Sequence, residues 1–172
     1  IALECIKEYD LPAIISLAPC EDKTLDSYEF SEACKILENE GADVVGLNCY
    51  RGPETKLPIL ENIIDKLDCP VASNPVPYRT THDKPTFKDL CTNEHQAFPL
   101  ELEPHQLTRY EMADFAQQAE GLGVDIISGC CGFQSYQLRA MALELGKNSK
   151  AKKYVPDMSL HPRHGEKSSL NK

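Results

Sequence analysis

A chain of 172 residues is long enough for one domain with a real core, and its net charge of −9 argues against a nucleic-acid or anionic-membrane surface. The sequence shows no signal-peptide pattern and no apolar run that would span a bilayer. Its eight cysteines are therefore expected in a reduced, cytoplasmic setting, where thiols tend to bind metal or do chemistry.

The opening segment Ile1-Ala2-Leu3-Glu4-Cys5-Ile6 reads as the middle of a helix that Asp10 and Pro12 break. Together with a first residue that is not Met, this suggests that an N-terminal part is missing. Ala13-Ile14-Ile15-Ser16-Leu17-Ala18 is a buried-strand run ended by Pro19 and the polar turn Glu21-Asp22-Lys23-Thr24. Phe30, Ala33, Cys34 and Leu37 recur at helical spacing up to Gly41. Asp43-Val44-Val45-Gly46-Leu47-Asn48 is the next strand, with Cys49 at its C-terminal end. Leu60, Ile63, Ile64 and Leu67 mark a helix, and Cys69-Pro70-Val71-Ala72-Ser73 a third strand. A Pro-rich stretch runs from Pro75 to Pro104. A helix carrying Met112, Phe115, Ala116 and Ala119 follows it. Val124-Asp125-Ile126-Ile127 leads to Cys130 as the fourth strand, and Leu138, Met141, Ala142 and Leu145 pattern the last helix.

Alternating strands and helices imply a parallel α/β sheet with right-handed crossovers. An open doubly wound sheet and part of a (β/α)8 barrel both fit. No Gly-x-Gly-x-x-Gly follows a strand, which weakens a dinucleotide-binding version. From Lys147 to Lys172 the net charge is +5, leaving −14 elsewhere. Residues 147–172, with Pro156, Pro162 and Gly165, read as an extended or partly disordered arm outside the domain, which covers residues 1–146. Such an arm is a candidate inter-subunit contact in a homo-oligomer.

Chemistry concentrates in Ser128-Gly129-Cys130-Cys131-Gly132-Phe133. Neighbouring Cα atoms sit about 3.8 Å apart, below the roughly 4.4–6.8 Å of ordinary disulfides. One zinc ion suits two adjacent thiolates better, because bonds of about 2.3 Å place the sulfurs roughly 3.8 Å apart. Strand side chains alternate faces, so both sulfurs reach one ion only past the strand end, where the flanking glycines permit a turn. A following helix N-terminus favours anionic sulfur. In either architecture the C-terminal strand ends carry the site, and Cys49, Cys130 and Cys131 all stand there. Three protein ligands with an open fourth position is the pattern of catalytic zinc. Two ordinary buried cysteines is the bland alternative.

Cys20 lies past a strand end and is a weaker candidate for the same rim. Cys5 and Cys34 read as packing, Cys69 stands at the wrong end of its strand, and Cys91 lies in the long loop. His82, His95 and His105 lack ligand spacing; His161 and His164 fit a loose basic arm better than a site. Asn48 is placed to steady a thiolate or bind a substrate's polar end, or simply to cap free backbone groups, and Asn74 has the same two readings. Tyr78 is a candidate pocket wall or a surface aromatic. Glu101 and Glu103 suit a helix entry. No Ser–His–Asp set, phosphate loop or Cys-x-x-Cys pair stands out, and the last absence counts against a thiol redox protein.

Gly46-Leu47-Asn48-Cys49 and Gly129-Cys130-Cys131-Gly132 resemble the two zinc-thiolate signatures of the homocysteine S-methyltransferase family, with Ser128 in place of one glycine. Phe133, Tyr136, Leu138-Arg139-Ala140, Leu102-Glu103-Pro104 with Thr108-Arg109, and Pro75-x-x-Tyr78 are similar to its betaine-using branch. The resemblance covers residues 1 to about 146. It implies the C-terminal half of a (β/α)8 barrel, with Zn2+ on Cys49, Cys130 and Cys131. It also implies methyl transfer from an onium donor to homocysteine, giving methionine. Betaine is the favoured donor and S-methylmethionine the next; an inactive zinc-binding or structural barrel fragment is the alternative from another class.

Overall fold

The computed structural model of the chain describes residues 1–92, 95–147, 150–162 and 165–167. A short helix, α1 (Ala2–Glu8), precedes β1 (Ile14–Leu17), α2 (Phe30–Asn39), β2 (Val44–Asn48), α3 (Pro53–Ile64) and β3 (Val71–Asn74). A long excursion then carries a small antiparallel hairpin, β4 (Cys91–Thr92) with β5 (His95–Gln96), before α4 (Arg109–Leu122), β6 (Ile126–Ile127) and α5 (Ser135–Glu144). The larger sheet is parallel, with order β1-β2-β3-β6. Successive strands are thus spatial neighbours, and α2 packs on α3, α3 on α4 and α4 on α5. A doubly wound sheet would reverse its strand order and split its helices between two faces. Here the strands advance in one direction, and with the right-handed crossovers that parallel strands favour this places the mutually packed helices α2 to α5 on one side.

The core lies between sheet and helices. Val45 and Leu47 of β2 and Val71 of β3 meet Cys34, Leu60, Ile63, Met112, Phe115 and Ala116. Strand alternation turns Gly46, Asn48, Ala72 and Asn74 to the opposite face. Gly46 is there for want of room: a Cβ on it would fall 2.0 Å from the Ala72 carbonyl oxygen of the paired strand. Helix entries follow their sequences. Thr108 caps α4 reciprocally with Glu111, Gln134 caps α5 with Gln137, and Gly123 at φ +103° ends α4.

Carboxylates close the N-terminal side of the sheet. Asp43 accepts the Ala13 N–H at 2.7 Å, and Asp125 accepts the Val71 N–H at 2.9 Å. Glu38 accepts the N–H groups of Asp68 and Cys69, both at 2.7 Å, on the entry to β3. The ion pair with Lys35 and these backbone donors hold the Glu38 carboxyl down at about 2. Its contribution is thus complete above the ordinary carboxyl value of 4.5 and is lost as pH falls towards 2. Glu38→Ala is expected to cost about 1.5–3 kcal/mol at neutral pH. Urea midpoints of variant and parent should converge as the pH is lowered through that window.

Some expectations need correction. Cys5 is exposed, because Leu3 supplies the buried contact of α1. The fourth strand pairs over two residues only, so Cys130 stands beyond it in a turn. The Pro-rich stretch contains the hairpin and a second apolar cluster, Val76, Phe87, Leu90 and Ala97. Within the tail, Lys150–Tyr154 and Met158–Leu160 form short 3-10 turns, the second capped by Asp157; His164 lies outside the described residues. Among the described residues no helix is long and apolar enough to cross a membrane.

Candidate metal centre

The two halves of the rim cluster, Cys49 and the Cys130–Cys131 doublet, are placed by different backbone devices. Cys49 follows the last residue of β2 and adopts φ +64°, and Tyr50 continues at +53°. Two successive left-handed residues without glycine are costly, about 1–3 kcal/mol each, and they end the strand's alternation of faces. Hydrogen bonds hold the turn: Cys49 N–H donates to Asn74 O at 2.8 Å, Arg51 N–H to Cys49 O at 2.7 Å, and Phe87 N–H to Tyr50 O at 2.8 Å. Opposite, Cys130 N–H donates to Pro75 O at 2.8 Å, and Phe133 N–H closes a turn on Cys130 O at 2.9 Å. The consecutive carbonyls of Asn74 and Pro75, at the end of β3, therefore fix both halves of the cluster.

The result is a compact sulfur triad. Cys49 Sγ is 3.5 Å and Cys130 Sγ 3.8 Å from Cys131 Sγ, and all three lie within 4.8 Å of one another. Cys131 is exposed and the other two half-buried, so the triad opens outward. Burial opposes ionisation of Cys49, but hydrogen bonds from the Tyr50 backbone and from the Cys130 and Cys131 side chains outweigh it and lower its thiol pKa. Burial pushes the Cys130 thiol up to about 12, and its hydrogen bond to Cys49 adds to the rise. Full ionisation of three sulfurs this close requires a compensating cation. The donor set fits a soft divalent ion: tetrahedral zinc needs thiolates roughly 3.8 Å apart.

Asn48 and Asn74 are register partners on β2 and β3, side by side on the face away from the helices. Neither amide side chain hydrogen-bonds another described residue. That leaves both amides free, and the backbone-capping reading of them has no support. Tyr78 borders the triad. Its hydroxyl lies over Gly132, where a Cβ would meet Tyr78 Oη at 2.2 Å. Its ring runs parallel to Phe87 at 6.1 Å, and burial, then the neighbouring Cys131 and Glu103, raise its pKa. Phe87 also meets Tyr50 and Phe98 edge-on, so an aromatic wall rises beside the sulfurs. Cys20, Cys69, Cys91, His82, His95 and His105 do not join the triad. Cys34 is fully buried core.

Sequence reading missed two cations near the rim. Arg51 is buried. It donates to the carbonyls of Pro19 and Glu21 and to Asp22 Oδ1 at 2.9 Å, tying the turn after β1 to that after β2. Lys56 is fully buried in the first turns of α3, and its Nζ donates to Cys49 O at 2.9 Å and Asn74 O at 3.1 Å. Burial pushes the Lys56 ammonium down to about 7, while the Cys49 and Cys130 sulfurs push it back up. Its spacing offered a signal: Lys56 precedes Leu60 by four residues and Ile63 by seven, on the apolar stripe of its helix.

Comparison with known proteins bears on this geometry. Betaine–homocysteine S-methyltransferase 1 of Xenopus laevis is 33% identical over 172 residues, covering 96% of this chain and 39% of its own length. S-methylmethionine–homocysteine S-methyltransferase BHMT2 of Pongo abelii is 32% identical over 150 residues, covering 84% of this chain and 40% of its own. The chain thus spans about two-fifths of the length of these relatives. The metallated crystal form of the homocysteine methyltransferase MmuM from Escherichia coli superposes with a TM-score of 0.57 at 16% identity, over 83% of this chain and 39% of that one. The model of the homocysteine S-methyltransferase family matches residues 1–145, from α1 through the last strand–helix unit. The chain belongs to the homocysteine S-methyltransferase family.

Proposed function

We propose that Cys49, Cys130 and Cys131 hold a zinc ion and that the protein uses it to methylate homocysteine. The sulfur triad carries this reading: three thiols from two distant strand ends lie within 4.8 Å in a member of this family. Zinc bound there would lower the pKa of an incoming fourth thiol, so that homocysteine is a thiolate at neutral pH. That sulfur forms a bond to the donor's methyl carbon as the carbon–onium bond breaks, leaving methionine and a neutralised donor. The chain's own residues position the reactants. The free amides of Asn48 and Asn74 bind the polar end of homocysteine below the rim. Tyr78 walls the site on the Cys131 side, its hydroxyl held over Gly132. Proximity of this kind supplies roughly 7–11 kcal/mol in favourable cases.

Betaine is the proposed donor, supported by the Phe133, Tyr136 and Tyr78 motifs and by the betaine-named relatives. S-methylmethionine is the second reading, because a relative named for that donor is equally similar. The four units are proposed as the C-terminal half of a (β/α)8 barrel. In support, the strand order is sequential, and Ile14 of β1 and Ile126 of β6 stand exposed at the two edges. Residues 1–146 would form this barrel part and 147–172 its tail, a candidate contact in a homo-oligomer. All eight cysteines are free thiols, which suits a reducing cytoplasm. The test is methionine formation from homocysteine by the full-length protein, with each donor in turn. Turnover should stop on chelation and return with zinc. No metal-dependent methionine from either donor would refute the assignment.

A further inference from the structure

Lys56 is enclosed within the protein, one to two turns into α3. Taking an ammonium out of water costs several kcal/mol unless opposite charge and hydrogen bonds replace the lost solvation. Among the described residues no carboxylate pairs with it. What replaces its lost solvation is backbone: two carbonyl oxygens at the strand ends, within 3.1 Å of Nζ. Its hydrogen bonds are specific. Nζ reaches the carbonyl of Cys49 and that of Asn74, and the second already accepts the Cys49 N–H. The ammonium therefore ties the left-handed turn at Cys49 and Tyr50 to the end of β3. An uncharged apolar side chain would fill the same space in the helix but would remove the one side-chain donor that the two carbonyls share, leaving each with its single backbone donor, Arg51 N–H on Cys49 O and Cys49 N–H on Asn74 O.

We propose that Lys56 is a positioning residue of the sulfur centre, clamping the Cys49 turn so that its sulfur meets the doublet and offsetting the negative charge of the assembled thiolates. This inference rests on the metal-centre reading above. Zinc on three thiolates carries a net charge of −1, and an anionic fourth sulfur makes it −2. When protonated, the Lys56 ammonium lies on the side of the Cys49 turn towards the strand ends, where it would offset part of that charge. The clamp acts earlier, since it keeps the two halves of the ligand set together before any ion arrives.

The test compares the full-length parent with Lys56→Met, which keeps the length of the side chain and removes donor and charge. Lys56→Gln serves as a second variant should the first fail to fold, and Phe115→Leu is a destabilised control in the core between sheet and helices. Zinc affinity is read by chelator competition, and cobalt(II) substitution reads the number of bound thiolates from the sulfur-to-metal charge-transfer intensity. The expected result is a roughly 10–100-fold loss of zinc affinity in the Lys56 variants. The cobalt intensity should fall from a three-thiolate to a two-thiolate level as Cys49 is released, with Phe115→Leu unchanged. Affinity within about twofold of the parent, with all three thiolates retained, overturns the proposal, because an outer partner of this kind is worth more than that. A parent lacking the charge-transfer band altogether overturns the metal-centre reading itself, and the role of Lys56 with it.

Discussion

Cys130→Ser is expected to empty the metal centre. A serine hydroxyl is not ionised at neutral pH, and two sulfurs do not make the three-ligand set of catalytic zinc. The loss should exceed the roughly 10–100-fold that an outer partner costs. After gel filtration, metal analysis should find about one zinc per parent chain and almost none in the variant. Methionine formation from either donor should vanish with it. Cys34→Ser makes the contrast. Cys34 is wholly enclosed among Leu60, Ile63 and their neighbours, where burial raises its thiol pKa to about 12. It should lower stability and leave zinc content unchanged. Equal zinc in Cys130→Ser and the parent would remove the doublet from the site.

Gly46→Ala is expected to have the largest effect on stability. The added Cβ would fall 2.0 Å from the Ala72 carbonyl oxygen, and that oxygen is backbone in a paired strand. The two strands must part, at a cost of about 3 kcal/mol or more. The damage should also reach the site, because Cys49 and Asn74 follow these two residues by only three and two positions. Urea midpoints would show the loss, and zinc analysis of the remaining folded fraction would show weakened binding. Gly121→Ala in α4 is the matched comparison. Nothing lies within 4 Å of its new Cβ, so it should be neutral or stabilising by up to about 1 kcal/mol.

The strand runs and their helices were legible in the sequence because parallel strands write themselves as short apolar blocks. The three rim cysteines were legible because strand ends are where such sheets do chemistry. The alternation of elements did not by itself choose between a doubly wound sheet and sequential winding, which only the resemblance carried by the cysteine motifs implied. Both share the same alternation of elements, and only the order β1-β2-β3-β6 separates them. Arg51 and Lys56 escaped notice because charged residues are ordinarily assigned to the surface. Their burial depends on carbonyls at the ends of other strands, Pro19 for one and Asn74 for the other. The aromatic wall of Tyr50, Phe87 and Phe98 was hidden for a similar reason. Its members come from separate loops, and a stretch rich in proline gives no periodicity to read.

The two adjacent carbonyls at the end of β3 have a consequence for assembly. A shift of that strand by one residue would take the acceptors of the Cys49 and Cys130 amides out of place together. The pairing of one central strand thus indexes Cys49 and the doublet together, so neither half of the cluster can be misplaced without disturbing the other.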